Sequence, residues 1–439
     1  MLDQHRREQS DDIDESQHAV RTRLIHGRTH TRKWEYSHHV VPPQSCSATF
    51  RLDSVARGAQ GFDTFAHDRG VETERGPTYI YDRLDEPTRA MLEENLATAE
   101  GGEMALCFAS GMGAISATML TLLQAGEHVV AHRVLYGCTY SLVAHWLPRL
   151  HIDHTLVDLA DPDNIRDAVT PRTRVVYFET PVNPDLLLID IKAVRRVVDE
   201  LNAKRGADDR IHIVVDNTFA SPICQRPLGL GADIVCCSLT KSIGGFGTDV
   251  GGAVIGPRRL HDSLILCRKD FGGSLSPRSA WPTLVYGLPS LASRMANYQS
   301  TALHVARYLS GHPKVERVHY PGLESFPQYE LARRQMFDDH GNFAPGSIVY
   351  FVVRDEAGDG LPAARMMDWI AANAYCITLA VSLGQIKTLI ECPYNMTHAA
   401  MPDDEKRAEG VVPGGCRISI GLEDRNDLIR DLDRALEVV

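Results

Sequence analysis

Seven short apolar runs follow one another between residues 104 and 255: Met104–Phe108, His128–Ala131, His154–Val157, Arg174–Phe178, Ile211–Val215, Ile234–Cys237 and Gly252–Ile255. The stretches Gly113–Leu123, Tyr140–Leu150 and Ile191–Lys204 lie between them with helical spacing. A run that is apolar throughout, with no alternation, belongs to a strand buried on both faces. Such runs alternating with helices build a mostly parallel sheet with helices packed on each side. The expected fold class is therefore α/β, with residues 86–290 forming the large domain. In sheets of this kind ligands bind beyond the carboxyl ends of the strands. The residues just after each run are where chemistry should be sought.

The flanking regions read differently. Residues 1–20 are charged and poor in apolar side chains, the pattern of a loosely held tail. From Thr22 to Asp85 periodicity is weak, and an extended arm that packs on something else is expected; residues 1–85 are read as tail and arm together. After Glu86-Pro87-Thr88, the spacing of Met91, Leu92 and Leu96 predicts a helix over Arg89–Ala99. Beyond Pro282 the pattern predicts a long helix at Leu291–Leu309 with Arg and Asn on its outer face. Strands at Ser347–Val352, Thr378–Val381 and Cys416–Ile420 and a final helix at Leu428–Leu436 follow, giving a smaller α+β domain over residues 291–439.

Composition narrows the function classes. The chain has 439 residues, 44% hydrophobic and 23% charged, and carries a formal net charge of −11. An acidic chain without a long basic run does not present a nucleic-acid or anionic-membrane surface. The polar opening Met1–Glu8 lacks the apolar core of a secretory signal, and no apolar stretch is long enough to span a membrane. Ten cysteines are scattered without a CxxC pair, as expected of reduced thiols in a cytoplasmic protein. His38-His39 and His151-x-x-His154 are close pairs, but the nineteen histidines are scattered along the chain, and no metal is expected.

Three motifs stand where the sheet would place a ligand. The Ile234–Cys237 run leads into Ser238-Leu239-Thr240-Lys241 and then glycines; the Ile211–Val215 run ends in Asp216-Asn217-Thr218; and Ser110-Gly111-Met112-Gly113 opens a helix. A phosphate-cradling turn, an acid at a strand end and a lysine flanked by hydroxyls point to pyridoxal phosphate. Lys241 would hold the cofactor's aldehyde, and Asp216 would pair with the pyridine nitrogen. Each motif alone has a plainer reading. Small residues at a helix start can be close packing, and Asp216 can cap a turn. Arg83 in Tyr81-x-Arg83 can be a surface residue, and Tyr136 a core tyrosine or a group lying over the cofactor ring. Ser238 and Thr240 could give hydroxyl donors to a phosphate, and Arg417 could clamp a carboxylate with two parallel bonds. The glycine-rich stretch Gly244–Gly252 lacks the GxGxxG order and is read as a tight passage near the site.

Taken in order, these motifs resemble the Cys/Met-metabolism (transsulfuration) family of pyridoxal-phosphate enzymes from about Thr22 to the C-terminus. The matching elements are Tyr81-x-Arg83, Ser110–Gly113, Tyr136-Gly137, Glu179-Thr180-Pro181-x-Asn183-Pro184, Asp216-Asn217-Thr218, Ser238-x-Thr240-Lys241, Ser382-Leu383-Gly384 and Arg417-x-Ser419-x-Gly421-Leu422-Glu423. The resemblance implies fold type I, the aspartate-aminotransferase-like architecture. It also implies that Lys241 is the cofactor-bearing lysine and proton shuttle, that Asp216 partners the ring nitrogen, and that Tyr136 stacks on the ring and acts on the leaving group. Ser110, Gly111, Met112, Ser238 and Thr240 would bind phosphate, with Thr218 beside the cofactor. Asn183, Ser382 and Arg417 would orient the cofactor oxygen and the substrate carboxylate. Tyr81 and Arg83 would reach a neighbouring subunit's phosphate, making a homodimer the smallest active unit, usually within a tetramer.

Within the family, Cys138 after Tyr136-Gly137, the pair Lys269-Asp270, and the Val381–Gly384 and Pro393–His398 stretches resemble the methionine γ-lyases. Cys138 would then join Lys241 and Tyr136 as a catalytic residue. Val381 would line the substrate site, where cystathionine-processing members usually carry a glutamate. The implied reaction is γ-elimination of a sulfur amino acid, L-methionine giving methanethiol, 2-oxobutyrate and ammonia by a carbon–sulfur lyase. The alternatives are γ-replacement on an activated homoserine, cystathionine γ-elimination, or a non-catalytic cofactor-binding protein. Glu86, in place of a common Asn, and Phe246, in place of a common His, depart from the pattern, and Gly244–Thr248 is closer to O-acetylhomoserine sulfhydrylases. The segment Lys33–Val41, with Trp34, Tyr36 and His38-His39, is unusual for the family.

Overall fold

A computed structural model describes residues 17–27, 39–65, 78–397, 403, 406 and 411–439. The seven apolar runs become β1 (Met104–Phe108), β2 (His128–His132), β3 (Asp153–Val157), β4 (Thr173–Glu179), β5 (His212–Asp216), β6 (Ile234–Ser238) and β7 (Gly252–Gly256). They form one sheet in the order β1-β7-β6-β5-β4-β2-β3. The pairs from β6 through β3 are parallel, and β7 alone runs against its neighbours β1 and β6. Successive residues feed opposite faces: Val175, Tyr177 and Val214 enter one core, and Val176, Phe178, Ile213 and Val215 enter another. That double burial is why these strands carry no polar alternation.

A second sheet, in the order β10-β11-β12-β9-β8, is built from β8 (Val315–His319), β9 (Ile348–Val353), β10 (Ile377–Leu379), β11 (Thr388–Glu391) and β12 (Gly415–Ser419). Here one face holds Val349, Phe351, Cys416 and Ile418, and the alternate residues Tyr350 and Arg417, partners in the β9–β12 register, lie on the other. The long helix Leu288–Gly311 joins the two sheets. Its Leu288, Leu291, Met295 and Tyr298 pack in the core beside the large sheet, while Ala302, Val305, Ala306 and Leu309 pack under the small one.

Several expectations need correction. The expected arm contains helices at Val20–His26 and Val55–Phe65, and Leu24 is buried against the Pro87–Glu100 helix and its neighbours. Tyr140–Leu150 is not one α-helix: a short helix at Gly137–Ser141 passes into a π turn at Leu142–Trp146 and a 3-10 turn at Leu147–Leu150, where Pro148 has no N–H to continue the ladder. β10 stops at Leu379, because the chain leaves the sheet to place Ser382 at φ +94°. Strands β8 and β11 were not anticipated; Glu316-Arg317 interrupts the apolar pattern of β8, and β11 is only four residues long. Arg294, expected on an outer face, is buried and donates to the carbonyls of Ser242 and Gly287. The helix predicted after Thr88 runs Pro87–Glu100, with Pro87 at its first position and Gly101 closing it in the left-handed region. Residues 33–38 of the Lys33–Val41 segment and His398 lie outside the described residues.

Candidate functional site

The large sheet brings its carboxyl ends to one place. Asp216 ends β5, opposite Glu179 at the end of β4 and Cys236 in β6. Asp216 Oδ1 accepts the Thr218 N–H at 2.8 Å, and Thr218 Oγ1 accepts the Ser238 N–H at 2.9 Å, so the ends of β5 and β6 are tied together. Burial holds the Asp216 carboxyl above the usual carboxylate range, and burial together with the Asp216 charge pushes Glu179 up to about 8. Glu179 Oε1 accepts the backbone N–H of Tyr136 at 2.7 Å and fixes the start of the turn that carries Tyr136 and Cys138. The Tyr136 phenol is pushed up to about 12 by burial and by its hydrogen bond with Cys138. The Cys138 thiol is exposed.

The phosphate candidates meet across the helix start. Ser110 caps the Gly111–Leu122 helix, its Oγ accepting the Gly113 N–H at 3.0 Å, which leaves backbone N–H groups of the first turn pointing outward. A Cβ on Gly111 would stand 3.0 Å from the Cβ of Ser238, and one on Gly252 would collide with the Ser110 carbonyl at 2.2 Å. Glycine at both positions is therefore what lets the Ser110–Gly113 turn close onto Ser238. Met112 Sδ accepts a hydrogen bond from Thr139 Oγ1 at 3.7 Å, joining this turn to the one bearing Tyr136. Thr240 Oγ1 accepts the Gly251 N–H at 3.1 Å. A cavity of about 360 Å³ opens on the Thr240 side of the lysine, lined by Phe246, Val250, Gly251, Pro282 and Tyr286 among others. The Phe246 ring lies there with the Arg294 guanidinium over it at 5.7 Å.

Lys241 sits where the two sheets meet. Its backbone is non-helical at φ −93°, ψ −137°, and its Nζ donates to Ser382 Oγ at 2.8 Å. Burial and the nearby Arg417 charge lower Lys241 to about 8, which favours the free amine a nucleophile or proton acceptor needs. Ser382 faces both cations, because its carbonyl accepts Arg417 Nη2 at 3.3 Å. Arg417 Nη1 donates to Asn183 Oδ1 at 2.7 Å, and its guanidinium lies 5.5 Å from the centre of the Phe219 ring. Its Nη2 pairs with Glu391 Oε1 at 2.6 Å, both side chains almost fully buried. Val381 stands beside Ser382 and is more than half exposed. The Thr397 carbonyl lies against Gly137, 3.1 Å from where a Cβ would be, so the Pro393–Thr397 stretch reaches the Tyr136 turn.

The fold thus gathers Ser110, Gly111, Met112, Tyr136, Cys138, Asn183, Asp216, Thr218, Ser238, Thr240, Lys241, Ser382 and Arg417 around one region. It holds Tyr81 and Arg83 elsewhere on this chain: Arg83 Nη1 donates to the Lys269 carbonyl at 2.5 Å and its guanidinium lies 5.5 Å from the Tyr81 ring centre. Lys269 and Asp270 pair with one another at 3.2 Å. Glu391 and Phe219 were not singled out from the sequence, and Glu179 was quoted without a role. An acid closing an otherwise apolar strand is the signal that both glutamates carried.

The residues fit pyridoxal phosphate. The turn a Cβ would fill can receive the phosphate, the buried Asp216 can face a ring nitrogen, and Lys241, lowered to about 8, can take the aldehyde. A family model described as Cys/Met metabolism PLP-dependent enzyme matches residues 21–437. The chain belongs to this family. It is a pyridoxal-phosphate enzyme. Among its relatives are an L-methionine gamma-lyase of Fusobacterium nucleatum subsp. polymorphum, 39% identical over 90% of this chain and 92% of the relative, and one of Treponema denticola, 38% identical over 89% and 90%. A cystathionine gamma-synthase of Mycobacterium bovis is 40% identical over 85% of this chain and 89% of its own length. Among the described residues, no helix is long and apolar enough to cross a membrane.

Proposed function

We propose that this enzyme catalyses γ-elimination of L-methionine, giving methanethiol, 2-oxobutyrate and ammonia with consumption of one water. The observation that carries the reading is Lys241 Nζ on Ser382 Oγ at 2.8 Å, with Arg417 on the carbonyl of the same serine and within electrostatic reach of Tyr136. When bound, pyridoxal phosphate supplies an electron sink for the pair left on the substrate's α-carbon. The chain's own residues do the rest. Arg417, steadied by Asn183, holds the substrate carboxylate. Lys241 Nζ takes the proton from the α-carbon and then assists removal of one from the β-carbon. Asp216 would face the ring nitrogen, and Ser238, Thr240 and the Ser110–Met112 turn would hold the phosphate. The Tyr136 phenol, pushed up to about 12, keeps its proton until the departing sulfur needs it.

The choice of a thioether substrate rests on Val381, an apolar side chain beside Ser382, and on Cys138 next to Tyr136. Arg83, which donates to the Lys269 carbonyl on its own chain, and Tyr81 beside it are assigned to a neighbouring subunit's phosphate, so the active unit is at least a homodimer. γ-Replacement on an activated homoserine uses the same groups and differs only in whether a second nucleophile captures the substrate's unsaturated fragment. Product analysis separates the two. L-methionine alone should yield equal amounts of methanethiol and 2-oxobutyrate. Silence with methionine, together with homocysteine from O-acetylhomoserine and sulfide, would move the enzyme to the transferases.

A further inference from the structure

Glu391 and Arg417 are register partners on β11 and β12, directly opposite one another across an antiparallel pair. Their neighbours Ile390 and Ile418 face the apolar core, so these two charges share the other face. The Arg417 Nη2–Glu391 Oε1 contact is 2.6 Å, with side-chain exposures of 3% and 1%. Nη2 also serves the Ser382 carbonyl at 3.3 Å. A substrate carboxylate arriving at this guanidinium meets an anion already in place.

Glu391 is half satisfied. Its Oε1 also accepts Thr397 Oγ1 at 3.3 Å, but the buried Oε2 finds no hydrogen-bond donor among the described residues. A buried carboxylate in that state is held ionised only by its cation. Among the described residues, the charged groups facing it are Arg417 from β12 and Lys241 from the loop after β6; Thr397, on the turn after β11, is neutral. Burial already holds Glu391 above the usual carboxylate range. Two buried carboxylates on one guanidinium repeat the situation of two acids sharing a site, in which one keeps its proton.

We infer that Glu391 is a proton-accepting counter-ion built into the carboxylate clamp: ionised against Arg417 while the clamp is empty, it takes one proton from solvent when a substrate α-carboxylate becomes Arg417's anion. No covalent bond to carbon forms or breaks in this step, and the pocket's net charge is the same before and after. Glu391 acts through Arg417 and is a positioning residue. The inference rests on the reading of Arg417 as the substrate-carboxylate clamp.

The test uses the cofactor-loaded enzyme and 4-(methylsulfanyl)butanoate, which is methionine without its amino group and cannot react. Calorimetric titration near neutral pH, in buffers of different ionisation enthalpy, counts protons taken up on binding. The wild-type enzyme should take up most of one proton per ligand. Glu391→Gln, which keeps an acceptor oxygen but no charge, should take up none and bind about tenfold tighter. No uptake by the wild type, or undiminished uptake by Glu391→Gln, overturns the proposal; the wild-type arm decides even where the variant does not fold. Arg417→Ala binding the probe as tightly as wild type would instead overturn the clamp reading beneath it.

Discussion

At the ends of the large sheet the candidate site is made of backbone N–H groups, hydroxyls and a carboxylate at successive strand ends. At the small sheet it is made of buried charges, Arg417 and Glu391, paired across two strands. The first arrangement follows from topology, since parallel strands deliver their carboxyl ends and the helix start after β1 to one edge. The second runs against ordinary strand composition and survives because each charge has a partner: Arg417 has Asn183, Ser382 and Glu391. Lys241 lies at the seam, with its amine on Ser382 of the small-sheet side and its backbone in the loop leaving β6. The cofactor half is thus a consequence of the fold, and the substrate half is placed on it by the Leu288–Gly311 helix that both cores share.

That division can be broken by substitution. Lys241→Ala, at the seam, should lower kcat/KM by at least about a thousandfold, since it removes nucleophile and proton carrier together; a loss under tenfold would dissolve the assignment. Arg417→Ala should lower kcat/KM about a hundredfold, mostly through KM, because it also strands Glu391, while the bound cofactor's visible absorption stays as in wild type. An equal loss of cofactor would show that the halves are not separable. Glu179→Ala deprives the Tyr136 N–H of a buried acceptor, at about 1–3 kcal/mol. It should cut kcat roughly tenfold, with Glu179→Gln within a few-fold of wild type. Equal damage from both would mean that the charge, not the hydrogen bond, matters.

The smallest effect is away from the chemistry. Glu86 caps the Pro87–Glu100 helix by accepting the Thr88 and Arg89 N–H groups, and burial pushes its carboxyl up to about 7. A folded-state value above the ordinary one means stability that is present at low pH and lost as pH rises through about 7. Glu86→Asn keeps a capping oxygen without the charge. Its melting temperature should match wild type near pH 5 and exceed it near pH 8, by roughly 1–3 kcal/mol in stability. The same gap at both pH values would refute this.

Most of the large sheet was legible because double burial leaves unbroken apolar runs, and Asp216, Ser238 and Lys241 stand directly after them. The small sheet was only partly legible. Glu391 closes a strand of only four residues, too short to show a pattern, and Glu316-Arg317 breaks the apolar run of β8. Arg294 looked like an outward helical arginine because its acceptors, the Ser242 and Gly287 carbonyls, are contributed by loops that no local pattern reveals. Glu86, a departure from the family's usual residue, has a local explanation as a helix cap that the sequence alone did not bring out.

The most direct test of the central claim is proton exchange in heavy water. Wild-type enzyme given L-methionine should return unreacted methionine carrying deuterium at the α-carbon, alongside methanethiol and deuterium-labelled 2-oxobutyrate in equal amounts, and Lys241→Ala should give neither exchange nor product. Methionine recovered without label and without thiol, under conditions where the cofactor is fully bound, would contradict the account.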